Sequence, residues 1–384
     1  MVQFLIFSYT YNNLICNRMK LTEITEGTTK LMVPIEEKLS KRNVVFYNPE
    51  MELSRDISIA IIRALNIKDF CDLLAGSGAR GVRVKNEVGC NVILNDLNPS
   101  AIRLIKKNLE LNSIEAEVCN MDANKFLMDK KFDFIDTDPF GSPSQFIDSA
   151  VKAIKNHGII AVAATDTSAL CGTYPKACMR KYDSVSLRTD YYNELGLRIL
   201  IGFIARVAIR YDYGIDPLFA HSTRHYFRVY LQLNRGNKDV KNSIENLRYI
   251  QHCFNCLTRE YKKLNGLESH CKCGAKFHNA GPLWAEKFAN PEFCKKVENE
   301  VTNGIFNKSR EAIKIIKLIE KEQTVLIPYY NFHKICEKNR IGSPPMEPVM
   351  EKLINSGFKA SRTHFSGVGI RTDAYLNNIA NYVK

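Results

Sequence analysis

The sequence predicts a doubly wound α/β domain followed by a smaller α+β domain. Strand-like runs at Asp69–Leu74, Asn91–Asn95, Glu115–Asn120 and Lys131–Thr137 alternate with helical patterns. A fifth run, Gly158–Thr165, is almost wholly apolar, as suits a strand covered on both faces. The first run ends in a glycine loop with Gly76, Gly78 and Gly81 spaced G-x-G-x-x-G, which fits a strand–turn–helix junction. Past Asn234–Asp239, a polar, glycine-containing stretch read as a linker, the texture changes to clustered cysteines and lysine-rich helices. The expected divisions are residues 1–20 as an extension, 21–235 as the α/β domain and 236–384 as the second domain.

The bulk numbers agree with this organisation. At 384 residues the chain exceeds one ordinary domain. An apolar fraction of 45% and a charged fraction of 25% are those of a soluble globular protein. The formal net charge of +13 favours a polyanionic partner such as nucleic acid. Most of the twelve cysteines are scattered singly (Cys71, Cys119, Cys171) and no secretory signal precedes them, so a cytoplasmic location is expected. No stretch approaches the roughly 18 apolar residues of a membrane span. The first residues, MVQFLIFSYTYNNLICNRM, lack a basic leader, and translation is expected to begin at Met19.

In chain order, Leu21 to Val33 reads as a hairpin turning near Gly27. Val44 to Asp56 carries an Asn-Pro turn and Ser54 as a helix N-cap, before a helix that is apolar nearly all round. Helix Ile102–Leu111 should expose Lys106 and Lys107. Glu194–Tyr211 reads as a long amphipathic helix and Leu218–Leu233 as one or two strands at a sheet edge. Helices are expected at 309–323, 329–339 and 346–356, then a basic, glycine-punctuated ribbon at 357–373, a winged-helix layout.

The chain is organised around Phe132–Pro143, FDFIDTDPFGSP. Two prolines and a glycine stop the strand ladder after Thr137, so Asp138 and Phe140 project from the strand's C-terminal end, where ligands bind in open α/β sheets. The carboxylate can accept hydrogen bonds from an amine and the ring can stack on a flat base, although an Asp-Pro turn with Phe140 in the core fits equally. In the glycine loop, backbone can approach a ligand closely, and Asp96 at the end of the second strand can grip ribose hydroxyls. Asp72 separates two ligands. It would repel a dinucleotide pyrophosphate, whereas the sulfonium-bearing portion of S-adenosylmethionine tolerates it. Asp122-Ala123 can meet an adenine edge, or Asp122 can be only a helix cap.

Together FYNPEMELSRD, DLLAGSGARGVR, NDLNP, DTDPFGSP, TDTSALCG and RTHFSGVGIRT resemble the archaeal and eukaryotic tRNA (guanine-N2)-dimethyltransferases that act at position 26. The resemblance runs from about residue 21 to 373. It implies a class I, Rossmann-like methyltransferase domain, S-adenosylmethionine as methyl donor, and a C-terminal domain that helps hold tRNA. It carries donor binding to Arg55, Arg80, Asp96, Asp122 and Ala123, beside Asp72, Gly76 and Gly78 from the loop. It carries catalysis to Asp138, with Phe46 and Phe140 clamping the base from opposite sides. Asp136 shares a strand face with Asp138 and is read as a supporting acid. No obligate protein partner is evident. The alternatives are another exocyclic amine (ribosomal guanine N2 or adenine N6), a tRNA-binding module with a vestigial donor site, or a dinucleotide oxidoreductase.

Cys253-x2-Cys256-x14-Cys271-x-Cys273 supplies four thiolates in two close pairs, as a structural zinc requires. Free thiols, or His252, His270 or His278 replacing one ligand, remain open. Cys171 and Cys178, like His221 and His225, read as core or strand-end residues. Arg362, His364 and Arg371 around Phe365-Ser-Gly-Val-Gly are expected to touch tRNA phosphate.

Overall fold

The structure, a computed structural model, describes residues 19–35 and 43–383. The expected start at Met19 turns on residues 1–18, which lie outside the described residues. β1 (Leu21–Glu26) and β2 (Thr29–Pro34) form the expected hairpin, turning at Gly27 with φ 57°. The following helix, Glu52–Leu65, corrects one expectation. Ser54 lies inside it rather than capping it, because a 3-10 turn, Pro49–Met51, leads into the helix and is itself capped by Asn48. The helix is buried through most of its length, as its all-round apolar pattern requires.

The strands β3 (Asp69–Asp72), β4 (Asn91–Asn95), β5 (Glu117–Cys119), β6 (Phe132–Thr137), β7 (Ile154–Ala164), β8 (Tyr213–Thr223) and β9 (Tyr226–Arg235) form one sheet. Their order is β5-β4-β3-β6-β7-β9-β8. The first five run parallel, and the β8–β9 hairpin adds an antiparallel edge. Strand order reverses between β3 and β6, so Asp72 and Asp138 emerge at the switch point where open sheets bind ligands. Lys106 and Lys107 are exposed on the helix Pro99–Leu111.

The long helix Tyr192–Ile209 is buried along nearly its whole length, because a second sheet covers it. That sheet comprises β10 (Leu247–His252), β11 (Arg259–Lys262) and β12 (His278–Trp284), in the order β11-β10-β12. Arg198 is inside despite its charge. Its guanidinium donates to Glu194 and to the carbonyls of Trp284, Glu286 and Leu326. The stretch read as a linker is the end of β9 and the start of a helix, Asn237–Asn246, joined at Gly236. One hydrophobic core continues across it, from Leu31 to Phe365.

A second core (Tyr330, Phe332, Ile335, Met346, Val349, Leu353, Ile370) lies under the last unit. Helix Ser309–Glu322 leads into β13 (Tyr330–Asn331), helices Phe332–Lys338 and Met346–Asn355, then β14 (Ala360–Arg362) and β15 (Gly369–Thr372). The sheet order β13-β15-β14 gives the winged-helix layout the sequence suggested. Buried charge welds this unit to the rest. Arg371 on β15 binds Glu194 at 2.6 Å and Glu322 at 3.1 Å, and Asp190, paired with Arg259 at 3.2 Å, accepts from Asn331 N–H of β13 at 3.2 Å. Among the described residues, no helix is long and apolar enough to cross a membrane.

Candidate active site

A cavity of about 700 Å3 opens at the switch point. Phe46, Arg55, Asp72, Gly76, Arg80, Asp138 and Phe140 all line it, so residues from three separate motifs converge. The glycine loop forms one wall. Gly76 donates its N–H to Asp96 Oδ2 at 2.8 Å, and Asp96 also accepts from Asn98 N–H. Gly78 has φ 78°, and a Cβ there would sit 2.8 Å from Ile105 Cγ1, so a side chain would force the loop off the helix Pro99–Leu111. Asp96 therefore shapes the loop from beneath it. Burial raises its pKa, against those two N–H bonds.

Asp122 and Ala123 sit farther along the strand ends. Asp122 Oδ1 caps the helix Ala123–Leu127 by accepting from Asn124 and Lys125 N–H, and Ala123 is buried at its first position. Asp122 thus does cap a helix. The described bonds all fall on Oδ1.

Around Asp138 lies a charge cluster. Arg80 Nη2 donates to Asp138 Oδ2 at 2.6 Å, its Nε lies 3.4 Å from Asp136, and its Nη1 bonds Ser58 Oγ. Asp136 is fully buried, not solvated, and gripped at both oxygens by Arg228 of β9. Asp72 accepts from Gly81 N–H at 2.9 Å. Burial, then the Asp136 charge, pushes the Asp72 pKa up to about 7, with Arg80 opposing.

Two contributors escaped the sequence reading. Glu26, at the hairpin turn, accepts from Tyr47 Oη (2.7 Å) and from both Arg55 Nε (2.7 Å) and Nη2 (2.5 Å), so it aims Arg55 along the cavity. Arg228 was unread because its acidic partner is 92 residues away in sequence. A charged residue alternating with Tyr226 and Tyr230 on an otherwise apolar strand was the available signal.

Phe46 and Phe140 do approach each other, but not as parallel plates. Their rings meet edge to face, with centroids 5.3 Å apart and planes at 87°. Stacking a base between them requires one ring to turn. The expectation for the ribbon needs a larger correction. Arg371 is fully buried, and the His364 side chain is buried against Glu322 at 2.6 Å. Neither is at the surface for phosphate, because each compensates a buried carboxylate. Arg362 is partly exposed and pairs with Glu347. His221, Cys171 and Cys178 are buried, as expected of core residues, whereas His225 is exposed at the tip of β8–β9.

Cys253, Cys256, Cys271 and Cys273 converge with all four sulfurs within 4.8 Å of one another. The Cys253–Cys273 and Cys256–Cys271 sulfurs are 3.5 and 3.4 Å apart, near the spacing of about 3.8 Å that tetrahedral zinc–thiolate bonds of about 2.3 Å impose. The donor set fits a structural zinc bracing the β10–β12 sheet.

Residues 26–384 match the family described as N2,N2-dimethylguanosine tRNA methyltransferase. The chain belongs to this family. It is 39% identical over 380 residues to the tRNA (guanine(26)-N(2))-dimethyltransferase of Methanobrevibacter smithii, covering 95% of this chain and 97% of that one. It is 41% identical over 374 residues to the enzyme of the same name from Methanosphaera stadtmanae, covering 94% and 96%. The fold superposes on Trm1 of Pyrococcus horikoshii, solved with S-adenosyl-L-methionine, with a TM-score of 0.86 and 34% identity, covering 95% of this chain and all of that one. Membership in the dimethylguanosine tRNA methyltransferase family gives the cavity its setting. The doubly wound sheet and glycine loop lie within the matched region, as do the acid after β6 and the cysteine cluster.

Proposed function

We propose that the protein transfers methyl groups from S-adenosylmethionine to the exocyclic N2 of guanine 26 in tRNA, forming N2-methyl- and N2,N2-dimethylguanosine. One observation carries the reading: in a chain of this family, the donor loop and Asp138 open onto one cavity. The glycine loop, Arg55, Asp72 and Arg80 hold the donor, with Asp96 fixing the loop and Asp122-Ala123 at the adenine end.

Guanine N2 is a poor nucleophile because its lone pair is delocalised into the ring. Asp138 and the Pro139 carbonyl accept its N–H groups and turn the nitrogen toward the methyl group. The amine becomes acidic as the new C–N bond forms, and Asp138 then takes the proton, directly or through water. Holding the reacting atoms in line contributes more than the base does. Arg80 pairs with Asp138 and Arg228 with Asp136, which holds both side chains in place beside the acceptor. The base must leave the tRNA stack to reach the cavity, at a cost of a few kcal/mol. Stacking on Phe46 and Phe140, worth ~1–3 kcal/mol per base, and the basic surface offset it.

Residues 236–384 hold the tRNA, with zinc at Cys253, Cys256, Cys271 and Cys273 stiffening that part. This reading places the enzyme in the cytoplasm, with tRNA as its partner. Nucleoside mass spectrometry of unmodified tRNA, incubated with the protein and labelled donor, tests it. Label in N2-methyl- and N2,N2-dimethylguanosine at position 26 is the expected result, and label in any other nucleoside overturns the acceptor assignment.

A further inference from the structure

The turn that carries Asp138 and Phe140 has little of its own to hold it in place. Pro139 and Pro143 carry no backbone N–H, Gly141 sits at a φ of 109°, and Phe140 is 49% exposed. The segment after β7, which opens on the motif TDTSALCG, grips the turn at two successive residues. Gly141 donates its N–H to Thr165 Oγ1 at 2.8 Å, and Thr165 N–H donates back to the Gly141 carbonyl at 3.0 Å. Ser142 Oγ lies 2.9 Å from Tyr182 Oη, and Tyr182 Oη lies 2.6 Å from Asp166 Oδ1.

The proton directions along this chain follow from its far end. Lys181 Nζ donates to Asp166 Oδ2 at 2.8 Å, and a carboxylate paired with an ammonium only accepts. Tyr182 therefore donates to Asp166, and its oxygen accepts from Ser142. Burial, then the Asp166 charge, raises the Tyr182 pKa, which keeps that proton on the phenol.

Tyr182 is a fixed post. It is fully buried, and its ring meets Phe203 of the helix Tyr192–Ile209 edge to face, with centroids 5.5 Å apart. Its carbonyl accepts from Arg206 Nη2 of the same helix at 2.6 Å. Arg80 thus holds the head of the turn at Asp138, and Tyr182 ties its tail at Ser142 to a buried helix. A reacting group is placed more precisely by such an element than by a loop. Neither Tyr182 nor Asp166 lines the cavity.

We propose that Tyr182, oriented by Asp166, is a positioning residue for methyl transfer, setting where the Asp138–Pro143 turn presents its acid and its ring to the acceptor base. The proposal rests on the guanine-methylating reading above and adds the group that aims its acid.

Tyr182→Phe keeps the ring against Phe203 and removes only the hydroxyl. Single-turnover transfer at saturating donor and tRNA should fall about tenfold, the worth of one hydrogen bond that sets the reacting geometry. Donor affinity, read by calorimetry without tRNA, should be unchanged. Ser142→Ala removes the other end of the same bond and should cost about as much, and the double variant should lose no more than either single one. A wild-type saturated rate in Tyr182→Phe, with only the melting temperature altered, assigns Tyr182 a purely structural place and overturns the proposal. Losses that multiply in the double variant overturn it too, because the turn is then not held through this bond, and so does a parallel loss of donor affinity. A wild-type protein that methylates no tRNA defeats the functional reading itself, an outcome distinct from each of these.

Discussion

Arg80 and Asp138 are joined by an ion pair of 2.6 Å between Nη2 and Oδ2. The same guanidinium spans Ser58 and Asp136, so a single planar fork connects the glycine-loop helix to the strand end that carries the acid. Lysine offers only a point charge on a flexible stem and cannot hold three partners at once. Arg80→Lys should therefore lower kcat by about 10- to 100-fold, the worth of one charge-assisted hydrogen bond. Rapid-quench measurement of the first turnover checks this.

On the proposed reading, Asp72 should make donor binding depend on pH. Its pKa is raised to about 7 by burial and by the neighbouring acids, so part of the population is protonated at neutrality. The cationic donor favours the ionised form. Affinity should rise as pH climbs from about 6 toward about 8, one unit either side of that value, and Asp72→Asn should flatten the profile. The sign for stability is opposite. A raised pKa contributes stability that is full below the ordinary carboxylate value and lost as pH rises through about 7.

The four cysteines predict one zinc per chain, read by elemental analysis of freshly purified protein. Removal by a chelator should lower the melting temperature by several degrees. Donor affinity should survive, because the cavity is lined by none of the four.

Arg371 offers a test of burial against surface contact. Arg371→Ala leaves Glu194 and Glu322 without their shared cation and should cost about 3–5 kcal/mol in urea unfolding. The salt dependence of tRNA binding should keep its slope, because no phosphate contact is lost.

How much was legible in the sequence follows from how local each signal is. The Asp138–Phe140 turn, the glycine loop and the cysteine pairs carry their partners within a few residues, and each occupies the place its spacing suggested. The strand–helix alternation gave the sheet, and the winged layout followed from helix and ribbon patterns. Long-range ion pairs were not legible. Arg371 meets Glu194 across 177 residues, and a buried arginine and a phosphate-binding arginine look alike in a string of letters. Glu26 and Arg228 escaped for the same reason: their chemistry depends on a partner that only the fold supplies. The edge-to-face meeting of Phe46 and Phe140 depends on side-chain rotation, which no residue pattern encodes.

The most direct test of the account is a single-turnover methyl transfer by Asp138→Asn, with donor and tRNA affinities measured on the same preparation. Asparagine keeps the size of the side chain but cannot take the proton, and its amide no longer completes the ion pair with Arg80. The account predicts transfer slowed by about 100-fold or more, with both ligands still bound. Transfer at the wild-type rate would contradict the assignment of Asp138 as the group that orients and deprotonates the acceptor amine.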